Sequence, residues 1–198
     1  DSPGIPQGVA SDTITLPYND AAAVEQAIEQ NPGEIAAIIV EPVAGNMGTV
    51  LPRSGFLERL KKITSEREII LIFDEVITGF RLSPGGAQEY FGVIPDMTCL
   101  GKIVGGGLPV GAYGGKREIM QEVSPLGKKI TQAGTLSGNP LAMSAGLAQL
   151  KMLAAPGIYQ QLGEIAQKLG DGIRENLQRL GLKYAVNQIG AMMCIFFT

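Results

Sequence analysis

Residues 69–75, IILIFDE, place five apolar side chains in a row directly ahead of two carboxylates. An apolar run of that length without polar alternation fits a strand covered on both faces of a parallel sheet. Ahead of it, GFLERLKKITSERE (55–68) spaces its apolar residues three and four apart, the pattern of an amphipathic helix, with Ser54 as the expected N-cap. The alternation continues outward. EIAAIIVE (34–41) and DMTCLGK (96–102) read as two further strands and VGAYGG (110–115) as a short fourth. DAAAVEQAIEQ (20–30), KREIMQEV (116–123) and GNPLAMSAGLAQLKMLA (138–154) read as helices. Strands alternating with helices imply an α/β layer with a mostly parallel sheet flanked by helices. A long amphipathic helix at 158–181, with Gly181 as its stop, and two strands in 182–198 then begin a smaller α+β unit. AAPG (154–157) breaks the pattern, so the expected division is 1–153 and 154–198.

The 198 residues carry 16 basic and 19 acidic side chains, a net charge of −3, which argues against a surface built to coat nucleic acid or anionic lipid. There is no histidine, so Ser-His-Asp hydrolysis, histidine acid/base chemistry and histidine-ligated metal sites are excluded within this chain. Cys99 and Cys194 stand far apart in apolar runs, which speaks against a disulfide staple or a zinc knuckle. No stretch is apolar for long enough to span a membrane as a helix. Both ends read as cut, so the expectation is a segment of a longer chain from a reducing compartment.

In open α/β sheets, ligands collect at the carboxyl ends of the strands. Polar groups stand there in three places: Glu41, the pair Asp74 and Glu75, and Lys102. A carboxylate ending a buried strand is costly unless paired or bound to something cationic. A lysine set among apolar and glycine residues is partly desolvated, which favours the nucleophilic amine that Schiff-base chemistry requires. Singly, each has a plainer reading: a helix cap, a structural ion pair, a solvated charge, and for Gly105–Gly107 a flexible turn. Together they suit a pyridine cofactor, with an acid keeping the ring nitrogen protonated and a lysine holding the carbonyl carbon. QAGTLSGNPLAMSAG (132–146) adds hydroxyls and exposed N–H groups ahead of a helix starting near Pro140, a fitting place for a phosphate.

FDEVITGFR (73–81), PDMTCLGKIVGGGLPVGAYGG (95–115) and QAGTLSGNPLAMSAG (132–146), in this order and spacing, resemble the class III aminotransferases of pyridoxal-phosphate fold type I. The resemblance covers nearly the whole chain and implies the cofactor pyridoxal 5'-phosphate, or its pyridoxamine form. By position it makes Lys102 the lysine that binds the cofactor and shuttles protons, Asp74 the partner of the pyridine nitrogen, and Val76 the apolar packing on the ring. Val76 is expected on the same strand face as Asp74. Thr135, with Gly134 beside it, becomes the phosphate-binding residue offered to the neighbouring subunit of a homodimer. Many relatives carry Gln three residues after the aspartate, where Ile77 stands here. The aminomutase branch instead places an Asn after the preceding strand, and EPVAGNMG (41–48) offers Asn46, with Glu41 ordering that loop. The joint exchange favours that branch, which isomerises the small-molecule substrate glutamate-1-semialdehyde to 5-aminolevulinate for tetrapyrroles. The alternatives are an ω-amino-acid or diamine transaminase and a non-catalytic fragment. The implied domains are the second half of the cofactor-binding large domain (1–153) and the start of the C-terminal small domain (154–198). The implied compartment is the cytoplasm, or the stroma of a plastid. No arginine is an obvious clamp for the substrate carboxylate, with Arg81 and Arg53 as candidates.

Overall fold

The computed structural model describes residues 3–123 and 130–197. In chain order it contains α1 (Gln7–Ala10), α2 (Ala21–Gln30), β1 (Ala37–Val40), α3 (Phe56–Glu66), β2 (Ile70–Glu75), α4 (Gly86–Phe91) and β3 (Met97–Leu100). A 3₁₀ turn at Lys102–Gly105 leads to β4 (Ala112–Gly115), α5 (Arg117–Met120), α6 (Pro140–Leu153), α7 (Ile158–Arg179), β5 (Ala185–Ile189) and β6 (Met192–Phe196). The first four strands make one sheet in the order β1-β2-β3-β4. The first three are parallel and β4 returns antiparallel, while β5 and β6 pair antiparallel in a separate sheet. The α/β class and the mostly parallel sheet expected from the strand runs are therefore observed.

Alternation along β2 splits its side chains between two environments. Leu71, Phe73 and Glu75 are buried, whereas Ile70, Ile72 and Asp74 are half-buried. Leu71 and Phe73 join Val24 and Ile28 of α2 and Phe56, Leu57 and Leu60 of α3 in the main core. Each of these large side chains contributes on the order of 1.5–3 kcal/mol by leaving water. The opposite face is less covered, and Ile39 in β1 stays 63% exposed. Burial on both faces, expected from the uninterrupted apolar run, thus holds for one face of the described chain.

The helix starts show which local signals decided. Asp20 Oδ1 accepts from the Ala23 N–H at 2.9 Å, and Asn139 Oδ1 accepts from the Ala142 N–H at 2.9 Å with Pro140 in the first turn. Ser54 does not cap α3. The N-cap is Gly55, left-handed at φ 81°, without a side-chain bond, because the chain turns into the helix one residue later than expected. At the amino end of β3, Asp96 accepts from the Leu71 N–H at 2.8 Å, Lys61 Nζ at 2.8 Å and Lys116 Nζ at 2.7 Å. Burial pushes the Asp96 carboxyl up, but these bonds and the Lys61 charge outweigh it and hold it at about 2.

The AAPG stretch breaks the helical path: α6 and α7 meet at 80°. Among the described residues no single helix is long and apolar enough to cross a membrane. The C-terminal sheet docks back through a second core, where Ile189 and Met192 meet Val43, Leu82 and Ala87. Tyr159 Oη donates to Phe80 O at 2.9 Å and Asn187 Nδ2 to Gly48 O at 3.1 Å across the same contact.

Candidate active site

The carboxyl ends of β2 and β3 lie side by side. Asp74 is paired in register with Cys99, and Glu75 with Leu100. The Asp74 Oδ1 atom accepts from the Val76 N–H at 3.1 Å, and the carboxylate forms no ion pair among the described residues. Burial pushes the Cys99 thiol up, and the Asp74 charge across the strand pair adds to it. β2 stops at Glu75, where the chain enters a turn closed by the Gly79 N–H donating to Glu75 O at 2.9 Å. Val76 therefore does not share a strand face with Asp74, as its position two residues on suggested; it lies in the turn. Its tie to Asp74 is that backbone hydrogen bond, and its side chain rests on β3's exit. A Cβ on Gly101 would lie 3.1 Å from Val76 Cγ1. The segment after Asp74 thus touches the residue before Lys102.

Lys102 opens the 3₁₀ turn with φ at 48°, a left-handed value uncommon for a residue with a side chain. Its side chain is exposed and forms no ion pair among the described residues. The expected partial burial is not observed within this chain, where the neighbouring glycines pack their backbone on α6. A Cβ on Gly106 would stand 2.4 Å from Ala145 O, and one on Gly146 would stand 2.4 Å from Val104 O. The glycine run is a backbone-to-backbone seat for the lysine turn, not a slack loop.

Asn46 sits in the loop after β1, exposed. Glu41 Oε2 accepts from the Gly45 N–H at 2.8 Å and Oε1 from Asn46 Nδ2 at 3.3 Å, so Glu41 does order this loop. Gly45 packs on the Ile77 side chain, which brings the Asn46 loop against the turn after Asp74. Positions 46 and 77, read jointly in the sequence, are in neighbouring segments. Gly134 and Thr135 lie in an exposed loop before α6, closed by the Ser137 N–H donating to Gly134 O at 3.0 Å. No hydrogen bond among the described residues joins them to Asp74 or Lys102. Their connection runs through α6, which they precede and on which the lysine turn sits. Arg81 Nε is engaged by Ile77 O at 3.0 Å, and no ion pair among the described residues brings Arg81 or Arg53 to Asp74 or Lys102.

Glu75 is the residue whose role the sequence left unread. It is wholly buried, and its carboxylate accepts from Thr78 Oγ1 at 3.0 Å, from the Ala87 N–H, from the Gln88 N–H at 3.2 Å and from Gln88 Nε2 at 3.0 Å. Alternation was the available signal, since adjacent strand residues face opposite ways.

Among the described residues, an acid without a cation, a lysine without an acid on the next strand's exit and a valine side chain on the glycine before that lysine suit a cofactor with a protonated ring nitrogen at one end and a carbonyl carbon at the other. The sequence pattern of the family described as Aminotransferase class-III matches residues 2–198, and the chain belongs to that family. Among particular proteins, it is 61% identical over 199 residues to the glutamate-1-semialdehyde 2,1-aminomutase of Cytophaga hutchinsonii, covering 100% of this chain and 46% of the relative. It therefore spans about half the length of the curated relatives it matches. An ω-transaminase structure from Sphaerobacter thermophilus matches 99% of this chain and 45% of its own, with TM-score 0.93 and 38% identity. A variant glutamate-1-semialdehyde aminomutase of Pseudomonas aeruginosa, in complex with PMP, matches 92% of this chain and 42% of its own, with TM-score 0.81 and 30% identity.

Proposed function

We propose that the whole protein is a pyridoxal-phosphate-dependent aminomutase that converts glutamate-1-semialdehyde to 5-aminolevulinate, the tetrapyrrole precursor. The observation that carries this reading is that Asp74 stands at the end of β2 beside Cys99 of the parallel strand β3, three residues before Lys102, with the Val76 side chain against Gly101 between them. The name shared by the curated relatives at 56–61% identity supports the substrate. Bound here, the cofactor would supply an electron-poor ring that stabilises negative charge on the carbon losing its proton. The Asp74 carboxylate keeps a proton on the ring nitrogen. Lys102 Nζ provides the amine that holds the cofactor and moves protons at the reacting carbon. Val76 would pack on the ring, and Asn46, held on its loop by Glu41, would be the residue offered to the cofactor's phenolic oxygen. The Gly134 N–H and Thr135 hydroxyl are offered to a phosphate. Their exposure, together with that of Leu136 and Leu141, supports a homodimer in which they serve the neighbouring site. The separate C-terminal sheet supports a division near 153/154 between a large and a small domain.

Replacing Lys102 by Ala in the full-length enzyme abolishes the visible absorbance of lysine-held cofactor and lowers turnover by roughly 10²–10⁴-fold. Unchanged absorbance and turnover would refute the assignment. The ω-transaminase reading is favoured by the Sphaerobacter structure's TM-score of 0.93. Conversion of the semialdehyde without any added keto acid separates the two, since a transaminase stalls without an acceptor.

A further inference from the structure

Glu75 is a buried carboxylate with no lysine or arginine beside it among the described residues, and it is surrounded instead by four hydrogen-bond donors. That arrangement is more than a satisfied helix start. Gly86 at φ 72° gives the carboxylate its place, since a Cβ there would stand 2.3 Å from Glu75 Oε2. Gln88 Nε2 shares its donors between Glu75 Oε1 at 3.0 Å and Thr98 Oγ1 on β3 at 3.2 Å. One side chain thus ties the last residue of β2 to α4 and, through α4, to β3 four residues before Lys102. The turn after Glu75 bears Val76, whose N–H holds Asp74 and whose side chain meets Gly101. We infer that Glu75 is a positioning residue: its buried network fixes the end of β2 against β3 and so sets how Asp74 addresses the cofactor nitrogen. The inference rests on the proposed cofactor reading and assigns a role within that site.

The test uses Glu75→Gln in the full-length holoenzyme. The amide turns a donor toward one pair of the donors that now converge on the carboxylate, so one side of the clamp opens. The expected outcome in the apo-protein is faster hydrogen exchange at the Val76, Ala87 and Gln88 amides. In the holoenzyme, a looser Asp74 leaves less positive charge on the ring, so the proton near Lys102 Nζ is held more tightly. The pH at which bound-cofactor absorbance changes then rises by about one unit. Turnover falls on the order of ten- to a hundredfold. Leu60→Ala, a core variant outside this hydrogen-bond network, lowers thermal stability without moving that pH and so separates positioning from folding. Should Glu75→Gln not fold, Thr98→Val removes only the Gln88 link to β3 and gives a shift of the same sign. A folded Glu75→Gln or Thr98→Val holoenzyme with an unmoved titration overturns the inference. If wild type lacks the pH-dependent band, or Lys102→Ala retains it, the cofactor reading itself falls and takes the inference with it.

Discussion

Alanine at position 146 is a sharp probe of how the lysine turn is held. The added methyl would stand 2.4 Å from the Val104 carbonyl oxygen. Carbon–oxygen contacts in folded chains settle near 3.3–3.6 Å, so α6 and the 102–105 turn must separate by about 1 Å. Overpacking of this kind costs about 1–3 kcal/mol, and the gain in helix propensity on losing a glycine returns about 1 kcal/mol. The obstacle is backbone, which cannot rotate aside, so the cost falls toward the upper end of that range and the net loss is up to about 2 kcal/mol. Calorimetry should show the melting temperature falling by a few degrees. The functional loss should be larger than the stability loss, because Lys102 begins the displaced turn and a 1 Å misplacement of a reacting group costs on the order of a hundredfold in rate. Gly163 in α7 provides the contrast: a Cβ there meets nothing within 4 Å, so Gly163→Ala should stabilise by about 0.5–1 kcal/mol and leave turnover alone. Equal melting temperatures and equal rates for Gly146→Ala and wild type would refute the backbone seat.

Two further outcomes follow from the packing. Asp96 is held at about 2, below the unfolded carboxylate value near 3.9, so its contribution is complete above pH 4 and is lost as pH falls from there toward 2. Lys116 is 57% exposed, which limits the contribution to about 1–2 kcal/mol; Asp96→Asn should remove that slope from urea-unfolding free energies measured between pH 4 and 2, and an unchanged slope would count against the pair. Phe73→Ala empties the centre of the main core and should cost about 3–5 kcal/mol, read from the denaturation midpoint, with a loss below 1 kcal/mol contradicting its complete burial.

The strands were legible because apolar runs such as IILIF leave few alternatives, the helices at 21–30 and 140–153 because Asp20 and Asn139 cap them, and the helix at 158–179 because its apolar residues recur at helical spacing. Asp74, Lys102 and their shared sheet end could be read for the same reason: a parallel sheet puts successive strand ends on one edge. What local pattern could not supply was tertiary in origin. α4 opens at Gly86 after Pro84 and Gly85, a breaker sequence, and its first turn is organised by the Glu75 carboxylate from another element. The start of α3 slipped from Ser54 to Gly55 because a left-handed glycine set the entry. Val76 was placed on a strand that ends one residue earlier, since nothing local marks where Glu75 is captured. The seat of the lysine turn depends on where Gly106 and Gly146 meet, a contact between residues forty positions apart.

The adjacency of Asp74 and Glu75 carries the most physical content of any pair in the chain. Both are short-chain acids at the end of one strand, and composition alone treats them alike. The period of two sends them to opposite faces. Asp74 goes to the less covered face with a single backbone donor, which leaves it free to meet a cation. Glu75 goes to the covered face, where an unpaired charge would be prohibitive without its four donors. A one-residue slip of β2 would exchange the two environments, burying the acid needed for chemistry and exposing the one that fixes α4. The register Asp74↔Cys99 is therefore both the condition for a stable core and the condition for a usable site. The pressures of folding and of function act on the same hydrogen-bond ladder, and the network through Gln88 and Thr98 secures it for both.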